Sequence, residues 1–220
     1  MSDRETTTRL GGDAERLPTT RPTRIITYAW GEKYVDALLS LALPAALAPG
    51  NLPYVASTVP CEFVILTQER FFQSVTASPV AARIRDLCPI RLIGLDDLVT
   101  VPDKYGMTLT YALHRGFADL GEAMTESWLL FLNADFILAA GSWRSLLGRL
   151  AAGERLVASP SYCVRADEVV PRLQARVDHK TSTLALAPRD MADLILRHRD
   201  RKSTRLNSSH SRASRMPSSA

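Results

Sequence analysis

The chain has 220 residues, of which 46% are hydrophobic, enough for a sizeable core, and its formal net charge is +4. Arg201, Lys202, Arg205, Arg212 and Arg215 outweigh Asp200 by that whole excess, so residues 1–199 are neutral and imply no nucleic-acid or anionic-membrane partner. Cys61, Cys88 and Cys163 are widely spaced without CxxC or His partners, and the longest apolar stretch, Ala37–Ala48, is too short for a transmembrane segment. These features lead us to expect a soluble cytoplasmic protein whose cysteines are small buried hydrophobes.

Residues 1–23 are polar, with Gly, Pro and Thr runs and no apolar signal region, and are expected to be disordered. Arg24–Trp30 (RIITYAW) is β-branched and aromatic, a strand. Val35, Leu38, Leu39, Ala42 and Ala46 follow at helical spacing until PGNLP at 49–53 breaks the chain. Phe63–Thr67 (FVILT) is a second strand, apolar throughout as if covered on both faces. Glu69–Leu87 is predicted to be helical in two pieces divided at Pro79, and Ile90–Leu95 a third strand. Tyr105–Ala123 is predicted to be a helix, Trp128–Leu132 a fourth strand, and Gly141-Ser142 the start of another helix. Arg155–Ser159 (RLVAS) is predicted to be a fifth strand, and Pro188 opens a last helix.

Residues 200–220, DRKSTRLNSSHSRASRMPSSA, have no hydrophobic period and cut across the helical pattern of Met191, Leu194, Ile195 and His198. This string resembles a translated sequencing adapter joined to a shortened reading frame, so a disordered, artefactual tail is expected there. Residues 24–199 then form one domain. Strands alternating with helices predict an α/β fold, a mostly parallel Rossmann-like sheet flanked by helices, with ligands bound beyond the carboxyl ends of the strands.

One such end carries the chemistry. In Trp128–Leu138 (WLLFLNADFIL) an apolar strand runs into Asn133-Ala134-Asp135. A carboxylate in apolar surroundings is costly unless paired or bound to a cation. The bland alternative is an Asx-type turn that closes the strand. A strand ending in a short acidic tripeptide, preceded by a long helix and followed by a Gly-Ser turn and a further helix, resembles the nucleotide-sugar glycosyltransferases of GT-A fold, whose signature is Asp-x-Asp. The resemblance covers Arg24 to Pro160, with the chain incomplete at its C-terminus.

The resemblance implies a nucleotide-diphosphate-sugar donor, an acceptor that it does not identify, and a divalent cation, manganese or magnesium. Asp135 matches the metal-binding aspartate. Asn133 matches the first aspartate, which contacts ribose or donor sugar, and departs from the pattern by being neutral. Thr27, Tyr28 and Trp30 end the strand that holds the nucleotide base in that family. Thr67 and Glu69 end the second strand, where Glu69 has the chemistry to accept from a base or ribose, and Lys104 is a candidate phosphate contact. The later segments that supply acceptor contacts in the family are mostly missing, so poor activity of this chain is expected.

Asp96-Asp97 are expected to cap, His114 and Arg115 to lie on the polar side of their helix, and Asp178-His179-Lys180 to form a loop. No Walker A, GxGxxG or GxSxG pattern is present. Two other readings share these features: a non-catalytic sugar-nucleotide-fold binding protein, and a nucleotidyltransferase, although Gly31 and Lys33 are all that remains of the latter's basic Gly-rich start.

Overall fold

The computed structural model describes residues 21–100 and 105–199. The N-terminal segment up to residue 20, Lys104 and the tail from residue 200 lie outside the described residues. Four strands, β1 (Thr23–Tyr28), β2 (Cys61–Thr67), β3 (Ile90–Gly94) and β4 (Trp128–Asn133), form one all-parallel sheet in the order β3-β2-β1-β4. β1 and β2 are the inner strands; all of β1 and Phe63–Thr67 of β2 are buried, as coverage on both faces requires. The fold class is therefore as the alternation predicts: an α/β, Rossmann-like sheet flanked by helices.

Strand residues alternate between faces, which sorts the core. Ile25, Phe63, Ile65, Leu130 and Leu132 face one layer of helices. That layer begins with α1 (Glu32–Ala37), a π-helical turn (Leu38–Ala42) and α2 (Leu43–Ala46). The π turn has a local cause. Pro44 has no N–H for the Ser40 carbonyl and its ring would crowd that oxygen, so the helix widens there. The layer continues with α3 (Leu52–Thr58), α4 (Phe72–Ala77) and α5 (Pro79–Arg85). The division at Pro79 is as expected, and Ser78 caps α5 by accepting the Ala81 N–H at 3.3 Å.

Ile26, Tyr28, Val64 and Leu66 face the other way, against α6 (Tyr105–Phe117). Gly116 permits the close packing: a Cβ there would stand 2.8 Å from the Ile26 Cγ2. The long helix expected over 105–123 is α6 only as far as Phe117; a 3-10 segment, Ala118–Glu126, follows and is broken at Gly121. After β4 come α7 (Ser142–Ala151), α8 (Ala166–Gln174) and α9 (Pro188–His198). A third apolar cluster packs Val169, Leu173, Leu184 and Leu186 against Leu41 and Ala45, on the outer side of the first helical layer.

One expectation in this region is corrected. Arg155–Ser159 is not a strand; Leu156 is 84% exposed, and no segment among the described residues pairs with it. Strand propensity depends on a pleated, half-buried setting, and this stretch has none. α9 ends at His198, and Arg199 bridges Val164 in antiparallel sense. The His198 carbonyl accepts the Arg165 N–H, and its Nδ1 lies 2.6 Å from the Glu168 carboxylate.

The amino ends of the strands are tied by charge. Arg24 on β1 contacts Glu62 at 2.9 Å and Asp119 at 2.6 Å; Arg91 on β3 contacts the same two carboxylates at 3.2 and 2.8 Å. Alternation sets Arg24, Glu62 and Arg91 on the α6 face, and Asp119 descends from the end of that helix. The bonds from Arg91, then Arg24, pull the Asp119 carboxyl down to about 2. Because the folded value lies below the unfolded one, this stabilisation is full above an ordinary carboxylate pKa and is lost as pH falls from about 4 toward 2. The side chain is 47% exposed, so screening leaves on the order of 1 kcal/mol. Asp119→Asn is expected to lower the unfolding free energy measured in urea at neutral pH by that amount and to flatten its decline between about pH 4 and 2.

Candidate functional site

The sheet order creates a switch point. From β1 the chain moves to β2 and β3 on one side, then crosses to β4 on the other. At the carboxyl ends of β1 and β4, Tyr28 stands directly opposite Asn133. Loops leaving such a pair in opposite directions open a crevice, the usual ligand position in parallel α/β sheets. Here it is a shallow cleft bordered by Tyr28, Trp30, Tyr34, Asn133 and Asp135.

Asn133-Ala134-Asp135 forms a tight turn, closed by a backbone bond from the Phe136 N–H to the Asn133 carbonyl at 3.1 Å. In an Asx turn the Asn133 side chain would hold its own backbone. Instead its Oδ1 accepts the Tyr28 hydroxyl at 2.5 Å, a bond possible because both residues occupy the α6 face of adjacent strands. The turn therefore closes without using either polar side chain. Asn133 keeps its Nδ2 donors and one oxygen lone pair for other partners. Asp135 is exposed on the cleft and makes no hydrogen bond or ion pair among the described residues.

Trp30 leaves β1 and sets its ring 5.9 Å from that of Tyr28. Tyr28 is only 5% exposed, so it serves the cleft through its hydroxyl and offers no open face for stacking. Trp30 is half-buried at the cleft edge, and Tyr34 is exposed there, with the Lys33 Nζ 5.8 Å from its ring centre. Tyr34 was not legible as a site residue because its place in α1 reads as helix surface; its separation from Trp30 by a single turn past Gly31 was the available signal. Gln68 Oε1 accepts the Gly31 N–H at 3.1 Å and so steadies this loop from the end of β2.

Tyr28, Trp30, Asn133 and Asp135 thus come together, and the other described candidates, Thr27, Thr67 and Glu69, do not. Thr27 and Thr67 are fully buried on the opposite face from Tyr28, so neither hydroxyl reaches the cleft. Strand alternation explains this: a one-residue step along β1 reverses the side chain. Glu69 is exposed one strand further out, beside Gly94, and its N–H donates to Asp96 at 2.8 Å. Asp96 thereby caps the turn after β2, whereas Asp97 forms a two-point pair with Arg115 of α6 at 2.6 and 2.7 Å. The Arg115 guanidinium holds the Asp97 carboxyl below its usual range. His114 is exposed and meets Phe117 edge-on. Asp178 closes its own loop by accepting from the Lys180 N–H and the Thr181 hydroxyl, and His179 lies exposed on it.

The chain matches no protein-family model and no curated protein sequence. No described helix is long and apolar enough to cross a membrane. Among the described residues no three His, Cys, Asp or Glu side chains gather as a metal cage. Asp135 offers one unpaired carboxylate, a donor set that fits a hard cation held chiefly by phosphate and water.

Proposed function

We propose that this domain binds a nucleotide-diphosphate sugar in the β1–β4 cleft and belongs to a glycosyltransferase of GT-A type. The observation that carries this reading is Asp135, open and unpaired beside Asn133 at the switch point of the sheet. Tyr34, exposed at the cleft edge, provides a ring face for the base, and Trp30 borders the same cleft. Tyr28 holds Asn133 so that its Nδ2 donates to a ribose or sugar hydroxyl. Asp135 bears on a divalent cation shared with the diphosphate. A bound cation neutralises charge that accumulates on the departing diphosphate. The acceptor is a hydroxyl compound whose contacts this cleft does not define.

Titration calorimetry of the full chain with nucleoside mono- and diphosphates, with and without manganese, tests the reading. Diphosphates are expected to bind more tightly than monophosphates, and only with the metal. Equal binding of both, indifferent to manganese, overturns it.

The neutral Asn133 favours one other reading, a protein that binds the sugar nucleotide without turning it over. Asn133→Asp restores a second carboxylate, which the Tyr28 hydroxyl can still hydrogen-bond. At roughly 5 Å and an effective dielectric of about 20, the added attraction to a dication is about 7 kcal/mol before solvation returns most of it. A net gain of about tenfold in manganese-dependent affinity is expected by calorimetry. Donor hydrolysis or transfer by this variant alone, absent from the wild-type chain, would support the non-catalytic reading.

A further inference from the structure

Cys61, Cys88 and Cys163 are free thiols, and two of them lie together. In the pairing of β2 with β3, Phe63 stands opposite Ile90. Carried two residues toward the amino ends, the same register sets Cys61 opposite Cys88. The bond from the Phe63 N–H to the Pro89 carbonyl, 2.9 Å, keeps that alignment past the end of β3. Residues two apart share a face, so both thiols lie on the first helical layer's side, at facing positions of neighbouring strands. Cys88 is 5% exposed and Cys61 half-buried, and both border an open groove of about 610 Å³ between residues 56–60 and 87–89. Cys163 is exposed and stands apart from this groove.

We propose that Cys61 and Cys88 form a reversible dithiol–disulfide site at the amino edge of the sheet, oxidised by small organic disulfides entering through this groove. The site is at the opposite end of the strands from the cleft and is independent of the function proposed for it. Cys61 is the attacking group. It is the more accessible, and the Cys88 hydrogen bond holds its thiol below the ordinary value, whereas the same contact and burial push Cys88 up. The Cys61 thiolate attacks one sulfur of the small disulfide, breaking its S–S bond and expelling one thiolate. Cys88 then gives up its proton and attacks the Cys61 sulfur, expelling the second. The protein loses two electrons and two protons, and the small disulfide becomes two thiols.

The experiment incubates the native full chain in glutathione buffers from fully reduced to fully oxidised, alkylates it, and maps the peptides by mass spectrometry. At the oxidising end Cys61 and Cys88 are expected to lose alkylation together and to appear as one cross-linked peptide, which dithiothreitol reverses. Cys163 gains only glutathione. In Cys88→Ser, Cys61 is expected to stop at the glutathione adduct. A wild-type chain in which Cys88 stays fully alkylated, or in which Cys163 cross-links to either thiol, overturns the proposal.

Discussion

Asp135→Ala is expected to remove the manganese-dependent part of nucleoside diphosphate binding while leaving the fold intact. The carboxylate is exposed and has no protein partner among the described residues, so its loss changes stability by only about 0.5 kcal/mol or less. Its effect on a dication is larger. At about 4 Å and an effective dielectric near 20, the attraction amounts to about 8 kcal/mol, most of which water returns to the freed ion. A remainder of about 2–3 kcal/mol corresponds to a loss of roughly 30- to 150-fold in affinity. Calorimetry with a nucleoside diphosphate and manganese measures it directly. Unchanged metal-dependent affinity in a variant with an unchanged melting temperature would remove Asp135 from the site, and the sugar-transfer proposal with it.

Asn51→Ala is expected to be the most damaging single change outside the strands. Asn51 is fully buried, and its Nδ2 donates to the carbonyls of Ala45 at 2.9 Å and Ala139 at 3.1 Å. Its Oδ1 accepts the Trp143 N–H at 3.1 Å, one of the donors that the start of α7 leaves without a partner inside the helix. The three bonds are not equal. The Ala45 carbonyl also receives the Ala48 N–H, and that of Ala139 receives the Ser142 hydroxyl, so both keep a partner after truncation. The Trp143 N–H does not. One stranded buried donor, two weakened acceptors and a small void together cost about 3 kcal/mol. Thermal denaturation should show a fall of roughly 6–12 °C. A fall of only a degree or two would mean that α7 is capped by other means.

The same residue shows where reading the chain stops. Gly141-Ser142 signals the start of α7 correctly, yet Ser142 does not cap it; the Ser142 hydroxyl donates to Ala139, and the cap arrives from Asn51 across the fold. Gly50 presents a similar case. PGNLP at 49–53 reads as a breaker, and at φ 79° Gly50 does turn the chain. Its lack of a side chain matters more, because a Cβ would stand 2.7 Å from the Gly141 Cα. Two loops far apart in sequence press backbone to backbone, and this contact steadies the segment that leaves the cleft. Turn chemistry is local and legible, whereas the docking of one turn on another is not.

Of the cleft, Asn133 and Asp135 were legible because polar residues that end an apolar strand have a local signature. Trp30 was legible for the same reason. Thr27 and Thr67 look equally polar in sequence, but alternation turns them inward, and the phase of that alternation is set by which face each helix covers. The Tyr28–Asn133 bond depends on β4 returning beside β1. The strand pattern alone is equally compatible with β4 being added beyond β3, which would leave the two residues apart.

By itself, then, the order of residues determined the four strands of the sheet, the starts of several helices and the α/β class, since each follows from periodicity and from Gly, Pro and capping residues within a few positions, while the strand expected at Arg155–Ser159 does not form. The tertiary structure alone decided the strand order, the charge ladder of Arg24, Glu62, Arg91 and Asp119, the buried cap at Asn51, and which polar side chains share a cleft. The physical reason is one of range. Backbone preference acts between neighbours, whereas burial and hydrogen bonding between distant segments exist only once the sheet has brought those segments together.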